Sequence, residues 1–579
     1  MVNKYLITTA LEETWPKNKK NIIFLGEWCK LYSRKDYWKK FNGNVIEYHW
    51  NSNKKFKEDY NYLIDLRERL LVSISSDLNK LHGIDYSVSY WNILVGHWLG
   101  LYSQILFDRW EMMRKASDEI KDMHLICLDE NPETITAYDT LNFEEQAKRD
   151  DRWNSYIYSE IANSFPSIKK IKIKPKSKFK NRYLELKKDT LKIILFKIYQ
   201  KLISLIYQPN SPLIINTYLS LIDNFKLNFK FNLPSYYLNF YKAEYFNLNF
   251  NKRNWKINFK PENEFEKFLI KNLPMNIPTL FIEGYEKTKQ NSLGLPWPKK
   301  PKFIFTSNSF YNDDLFKFYA AQKHERGSKL YIGQHGGSYG ICKFNYYENY
   351  EINLSDKYFS WGWTNPRVSK IIPAGILTKI KINQNKKRDK LYLVTNANSR
   401  YSYGLHSASK SSQWLSYLED QFKFVDNIDE SIKPQLVVRL YTHDYKWNQY
   451  DRWLKNFPNL NYDHSNKTIS KALVQSKIFI STYNSTTFLE SIYFNIPTII
   501  FWDPKIWEIR KSTEPLFEEF LEAGIFHTSP KSAALKVNSI WDNIDPWWNS
   551  KLVRSTISKF KLKYCNDLSL NQLKDLLEN

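Results

Sequence analysis

The chain has 579 residues, 42% of them hydrophobic and 17% aromatic, with a formal net charge of +24. That length is too great for one hydrophobic core, and no apolar run approaches the ~20 residues a membrane-spanning helix needs. Four widely spaced cysteines, Cys29, Cys127, Cys342 and Cys565, argue against a disulfide framework or a CxxC zinc site and for a reducing cytoplasm. Residues 1–10 lead straight into a strand-like run rather than a signal-peptide layout.

Residues 1–150 read as the first part of an N-terminal Rossmann-like lobe. Residues 4–9 and 21–26 are short apolar runs followed by polar turns, the pattern of buried strands. Residues 59–81 set Tyr62, Leu63, Leu66, Leu70 and Ile74 near helical spacing, and residues 90–107 are apolar nearly all round, as in a buried helix. After the first strand come Glu12 and Glu13. Either carboxylate can serve as a general base towards an acceptor, or simply favour a helix start.

Residues 151–275 differ in composition and read as a basic, aromatic-rich insertion. From Lys169 to Lys201 thirteen Lys or Arg side chains face only two acids, Glu185 and Asp189. An excess so local implies a local partner, expected to be an anionic membrane surface. Within it, residues 191–207 place Lys192, Lys197 and Lys201 among apolar side chains. Such a segment suits a bilayer interface, or a core helix whose lysine stems reach outward. Nucleic-acid binding would explain the charge but not the turns considered next, so no nucleic-acid partner is expected.

From Lys302 the α/β rhythm returns. Residues 276–365 complete the N-terminal lobe, and residues 366–579 form a C-terminal, donor-binding lobe with terminal helices. Strand-like runs at 302–306, 329–333, 357–361, 390–395, 435–440, 478–481 and 497–501 are separated by helix-length segments, as in parallel sheets. The expected fold class is α/β, with two Rossmann-like lobes facing a central cleft and the basic insertion in the first.

Two turns at strand ends carry the chemistry. His335, flanked by Gly336 and Gly337, follows one strand; a histidine there can take a proton from an acceptor hydroxyl near neutral pH. Ser481, Thr482, Ser485 and Thr486 follow another and lead into a helix carrying Glu490. Hydroxyls and N–H groups at a helix start suit a phosphate, and a carboxylate one turn in suits ribose hydroxyls; ordinary N-capping is the plainer alternative. Arg439 and His443 follow a third strand and are candidate phosphate contacts, with Asp444 placed to orient His443. Asn396, Asn398, Ser399 and Arg400 follow a fourth. No DxD, HExxH or Walker-type motif points to a metal, so no metal ligands are assigned and metal-independent chemistry is expected.

Together residues 6–16, 24–29, 333–337, 439–444, 481–486 and 524–527 resemble a family of transferases encoded in bacterial O-antigen and surface-polysaccharide gene clusters. The resemblance covers nearly the whole chain outside roughly 165–260. More distantly, the layout is similar to GT-B glycosyltransferases, especially capsule-type enzymes using CMP-activated sugars. The hydroxyl turn aligns with their donor motif, whereas Thr442 stands where their Pro-His motif has proline. The element from Gln334 to Gly336 also resembles the His-Gly element of polyol-phosphate polymerases, in which the histidine is the base. The resemblance implies a nucleotide-sugar donor as substrate, CMP-linked in the closest pattern, with no resident cofactor. It implies a lipid-linked oligosaccharide acceptor and peripheral attachment at the inner face of the plasma membrane. Polyol-phosphate transfer is the alternative reaction.

Overall fold

The runs at 4–9 and 21–26 become β1 (Lys4–Ile7) and β2 (Ile22–Phe24) in a computed structural model. It describes residues 4–177, 190–205, 208–233, 242–377, 388–466 and 468–579. The chain divides into two compact units. The first comprises residues 1–215, 237–330 and 399–404; the second comprises residues 216–236, 331–398 and 405–579.

In the first unit β1 and β2 join β3 (Gly43–Val45), β4 (Met123–Leu128) and β5 (Ile168–Ile173) in a sheet of order β3-β2-β1-β4-β5. Every pairing is parallel. The order reverses between β1 and β4, the switch point at which α/β sheets open a crevice. β5 draws the start of the basic stretch into this sheet. As an edge strand it turns Lys169 and Lys172 to solvent, paired with Asp122 and Asp129, and such charges discourage edge-to-edge pairing. Lys178, Lys180, Arg182, Lys187 and Lys188 of the same stretch lie outside the described residues.

Two long helices build the body of this unit. α1 (Asn53–His82) starts where Ser52 accepts a hydrogen bond from the Lys55 N–H and stops at Gly83 with φ +64°. It begins earlier than periodicity indicates, because its first turn is polar and the apolar face starts only at Phe56. α2 (Val88–Glu119) is buried on nearly all sides and packs against α1 and the helix Asp314–Glu325. Its continuous apolar surface needs neighbours all round. α3 (Leu191–Ser204) follows, and then β6 (Leu213–Ile214) and β7 (Phe303–Thr306) pair in parallel.

The segment 399–404 belongs to this unit for an electrostatic reason. Arg400 donates to both oxygens of Asp151 at 2.9 Å, and the Tyr401 hydroxyl donates to the same carboxylate at 2.6 Å. All three side chains lie inside the protein, where charge is tolerated only when paired and hydrogen-bonded.

The second unit contains α4 (Leu221–Lys230), the part of β8 (Lys329–Gly333) from Tyr331 onward, and the strands β9 (Lys357–Ser360) and β10 (Ile371–Pro373), paired in parallel. Its larger sheet comprises β11 (Lys390–Val394), β12 (Leu436–Arg439), β13 (Asn461–Asp463), β14 (Ser476–Ser481), β15 (Thr498–Phe501) and β16 (Phe526–His527). The order is β13-β12-β11-β14-β15-β16, all parallel. Its switch point lies between β11 and β14, and α5 (Thr486–Tyr493) leaves from the end of β14. The seven strand-like runs expected from Lys302 onward are all present, within two residues at each end.

Candidate active site

At the end of β14 the hydroxyl turn divides into an inner and an outer half. Ser481 and Thr482 are buried, and their hydroxyls are used locally: Ser481 donates to the Tyr483 carbonyl, and Thr482 donates to the Val394 carbonyl on β11 at 2.9 Å. The Tyr417 hydroxyl lies 2.5 Å from Thr482 Oγ1. Expected as donor contacts, these two residues instead lock the switch point. The outer half, Ser485 and Thr486, is half-exposed. Ser485 holds the N-cap position in extended backbone (φ −157°, ψ −167°), and its side chain makes no capping hydrogen bond to α5.

Thr486 makes the contact that organises the site. Its Oγ1 accepts the Gly337 N–H at 3.1 Å. A Cβ on Gly337 would lie 2.4 Å from Thr486 N and 2.6 Å from the Ser485 carbonyl oxygen. Only a glycine lets the His335 turn sit against the helix start. Thus the two turns that stand far apart in sequence meet inside one unit.

The His335 turn is braced from beneath by Gln334. The buried Gln334 amide donates to the Gly336 carbonyl at 2.7 Å and accepts from the Trp361 backbone N–H and the Trp363 indole at 2.9 and 2.8 Å. At the far end of the turn Gly340 has φ +74°, and a Cβ there would meet the Trp363 ring at 2.5 Å. His335 itself keeps 18% of its side chain exposed. Its Nδ1 lies 3.6 Å from Glu351 Oε1, and its Nε2 lies 3.4 Å from the Tyr339 hydroxyl, which donates to the same carboxylate oxygen. Glu351, from the helix Tyr346–Leu354, is fully buried. Glu351 thus stands beside the His335 ring at ion-pair rather than hydrogen-bond distance, and Tyr339 bridges the two. The Tyr218 ring stands 5.7 Å from the His335 ring. Tyr218 has φ +62°, uncommon for a bulky residue, so the backbone is strained where it presents this ring.

The family follows from the sequence as a whole. A model of the LIC12162 family transferases matches residues 4–578. The chain belongs to that transferase family. Comparison with curated proteins finds no match. Among solved structures, a variant of the wall teichoic acid polymerase TagF is similar at 12% identity and a TM-score of 0.32, covering 67% of this chain and 95% of that one. A glycosyltransferase from Rickettsia africae ESF-5 is similar at 10% identity and a TM-score of 0.34, covering 64% and 98%.

The other residues singled out in this transferase are placed as follows. Arg439 is buried at the end of β12 and paired with Asp463 of β13 at 2.5 Å, so its charge is already matched. His443 is exposed in the following loop, between the rings of Tyr441 and Tyr445. Asp444, expected to orient His443, instead accepts the N–H groups of Asn448 and Gln449 and starts the helix Gln449–Asn456. Arg400 is consumed by Asp151.

Glu490 lies on α5 and is only 5% exposed. Burial pushes its carboxyl up to about 8, and among the described residues no cation pairs with it. At neutral pH it is an acid rather than the carboxylate the sequence suggests. Glu13 belongs to the first unit, half-exposed in a short turn after β1, where it accepts the Lys176 N–H at 3.3 Å. Its neighbour Glu12 is held by Arg34 at 2.6 and 2.8 Å.

Sequence reading missed Glu351, Tyr339 and Tyr218, and it named Gln334 only as part of the His-Gly element. Tyr339, four residues after His335, is the one with a local signal. Lys410 was also missed: burial lowers its ammonium to about 7, against the opposing influence of Glu508 and Cys342.

Proposed function

We propose that this protein transfers a sugar from a nucleotide-activated donor to a lipid-linked oligosaccharide in O-antigen or other surface-polysaccharide biosynthesis, with a GT-B-type division of labour. The contact between Gly337 and Thr486 carries this reading, because it sets a candidate base beside a helix start. The donor phosphate meets the first turn of α5, through Ser485, Thr486 and the helix N–H groups, which stabilise negative charge on the leaving group. His335 takes the proton of the attacking acceptor hydroxyl as the new glycosidic bond forms. The bond from the sugar to the donor phosphate breaks, and the nucleotide leaves with that electron pair. Glu351 balances the imidazolium until the proton returns to solvent.

His443 is the nearest match to a further phosphate contact, and Glu490 donates or accepts hydrogen bonds at the ribose. Glu13 is the rival base. CMP is the expected nucleotide, and the absence of a DxD motif favours chemistry that survives EDTA. A membrane-borne acceptor places the protein at the cytoplasmic face of a membrane, held through the region from Lys169 to Lys201.

A thermal-shift screen against CMP, UDP, GDP, CDP and TDP tests the donor site, since a selective ligand stabilises by RT ln(1 + [L]/Kd). One nucleotide should stand out, and its effect should vanish in Gly337→Ala. No response to any nucleotide sinks the reading. Product mass with the matching donors then separates sugar transfer from polyol-phosphate transfer.

A further inference from the structure

Helix α3 shows its wrong side to water. In a surface helix the polar stripe faces solvent and the apolar stripe faces the core. Here Leu191, Leu195, Leu202 and Leu205 are 72%, 57%, 60% and 81% exposed, with Ile194 and Ile198 exposed between them. They recur every three or four positions, so they form one stripe along the helix. Gln200, the polar residue on the other side, is buried. The alternative of a core helix with outward lysine stems is therefore overturned: the leucines are outside.

Charge sharpens the choice of partner. No Asp or Glu occurs in residues 190–205. Lys197 and Lys201 flank the stripe and, with Ile198 and Leu205, form one wall of a groove of about 820 Å³ whose other wall includes Leu293, Trp297 and Lys299. Among the described residues no acidic side chain lines that groove. At 14 residues α3 is too short to cross a bilayer, and among the described residues no helix is long and apolar enough to do so. A short helix with an exposed apolar stripe, lysines at its edge and no acids fits the plane of an anionic lipid interface.

We infer that α3 is an in-plane anchor that docks this protein on an anionic bilayer through its leucine and isoleucine stripe. This rests on the membrane part of the proposed function and changes its physics. Insertion of the stripe dominates, and Lys197 and Lys201 add selectivity for anionic lipid. On β5, Lys169 and Lys172 pair with Asp122 and Asp129, and Lys170 donates to the Ser159 carbonyl.

The test is co-sedimentation of the full chain with phosphatidylcholine vesicles, with and without phosphatidylglycerol, at low and high salt. No donor or acceptor is added, so the outcome is independent of whether the transfer reaction is correctly assigned. Wild type should bind the anionic vesicles and retain much of that binding at high salt, because apolar insertion is not screened. The double change Leu195→Glu with Leu202→Glu should lower binding by at least about tenfold while leaving Tm unchanged, since both side chains face water. Lys197→Gln with Lys201→Gln should weaken it by about fivefold per lysine and reduce the preference for anionic lipid. Wild-type protein that stays in the supernatant, or a glutamate variant that binds as well as wild type, overturns the inference. So does a dimer in solution that the glutamate variant dissociates, because the stripe would then be covered by a second copy.

Discussion

The first sheet and the larger sheet of the second unit share a strand plan, β3-β2-β1-β4-β5 in one and β13-β12-β11-β14-β15-β16 in the other. Both reverse at a switch point, yet the two crevices end differently. At the end of β1 the protein fills its own crevice. The Trp28 and Trp15 indoles donate to the Thr8 and Thr9 carbonyls at 2.9 and 3.0 Å, and the Asp151–Arg400 pair packs behind them. At the end of β14 the buried half of the turn is likewise tied down, but Ser485 and Thr486 stay accessible beside His335. Topology offers a place for a ligand; side-chain size decides whether protein or ligand takes it.

Breaking the chemistry of the open crevice should have the largest effect. His335→Ala should lower kcat by ~10²–10⁴-fold, the usual contribution of a general base, in a protein that still unfolds in one cooperative thermal transition. Glu13→Gln should leave kcat unchanged, and a loss as large as that of His335→Ala would transfer the base to the first unit. In the filled crevice the expected loss is structural. Asp151→Ala leaves Arg400 buried without its partner and should cost about 3–5 kcal/mol in denaturant unfolding. Gly337→Ala joins the two kinds of effect. It forces a Cβ into the start of α5, at about 1–3 kcal/mol of stability, and it should abolish the nucleotide-induced shift in Tm.

The most specific effect concerns pH. Burial holds the Glu490 carboxyl near 8 against the usual 4.5, so the folded protein keeps a proton that the unfolded chain releases above pH 4.5. The stability linked to that proton is present in acid and falls as pH rises towards 8. Glu490→Gln lacks this dependence. Its stability relative to wild type should grow by on the order of 1.4 kcal/mol per pH unit across that window, measured by urea unfolding between pH 5 and 8.5. Parallel curves for the two proteins would show that Glu490 is ionised in the fold.

Much of this was legible beforehand, and the residues show why. The strands from Lys302 onward announced themselves because a buried parallel strand is a short apolar run bounded by turns. His335 and the hydroxyl turn stood out because glycine and small hydroxyl residues at strand ends are locally unusual. Glu351 gave no such sign: a glutamate in a helix is ordinary until the chain brings it to a histidine. Thr482 gave a misleading one, since a hydroxyl at a strand end looks the same whether it meets a ligand or the Val394 carbonyl.

The sequence by itself determined the α/β class, the parallel strands and the two turns, because hydrophobic period and glycine placement act over a few neighbouring residues. Only the tertiary structure decided which hydroxyls remain accessible, which carboxylate answers His335, and that Arg400 serves Asp151. It also decided that the apolar stripe of α3 faces water rather than a core. Each of these depends on contacts between residues far apart in the chain, where burial and pairing are set by the fold as a whole.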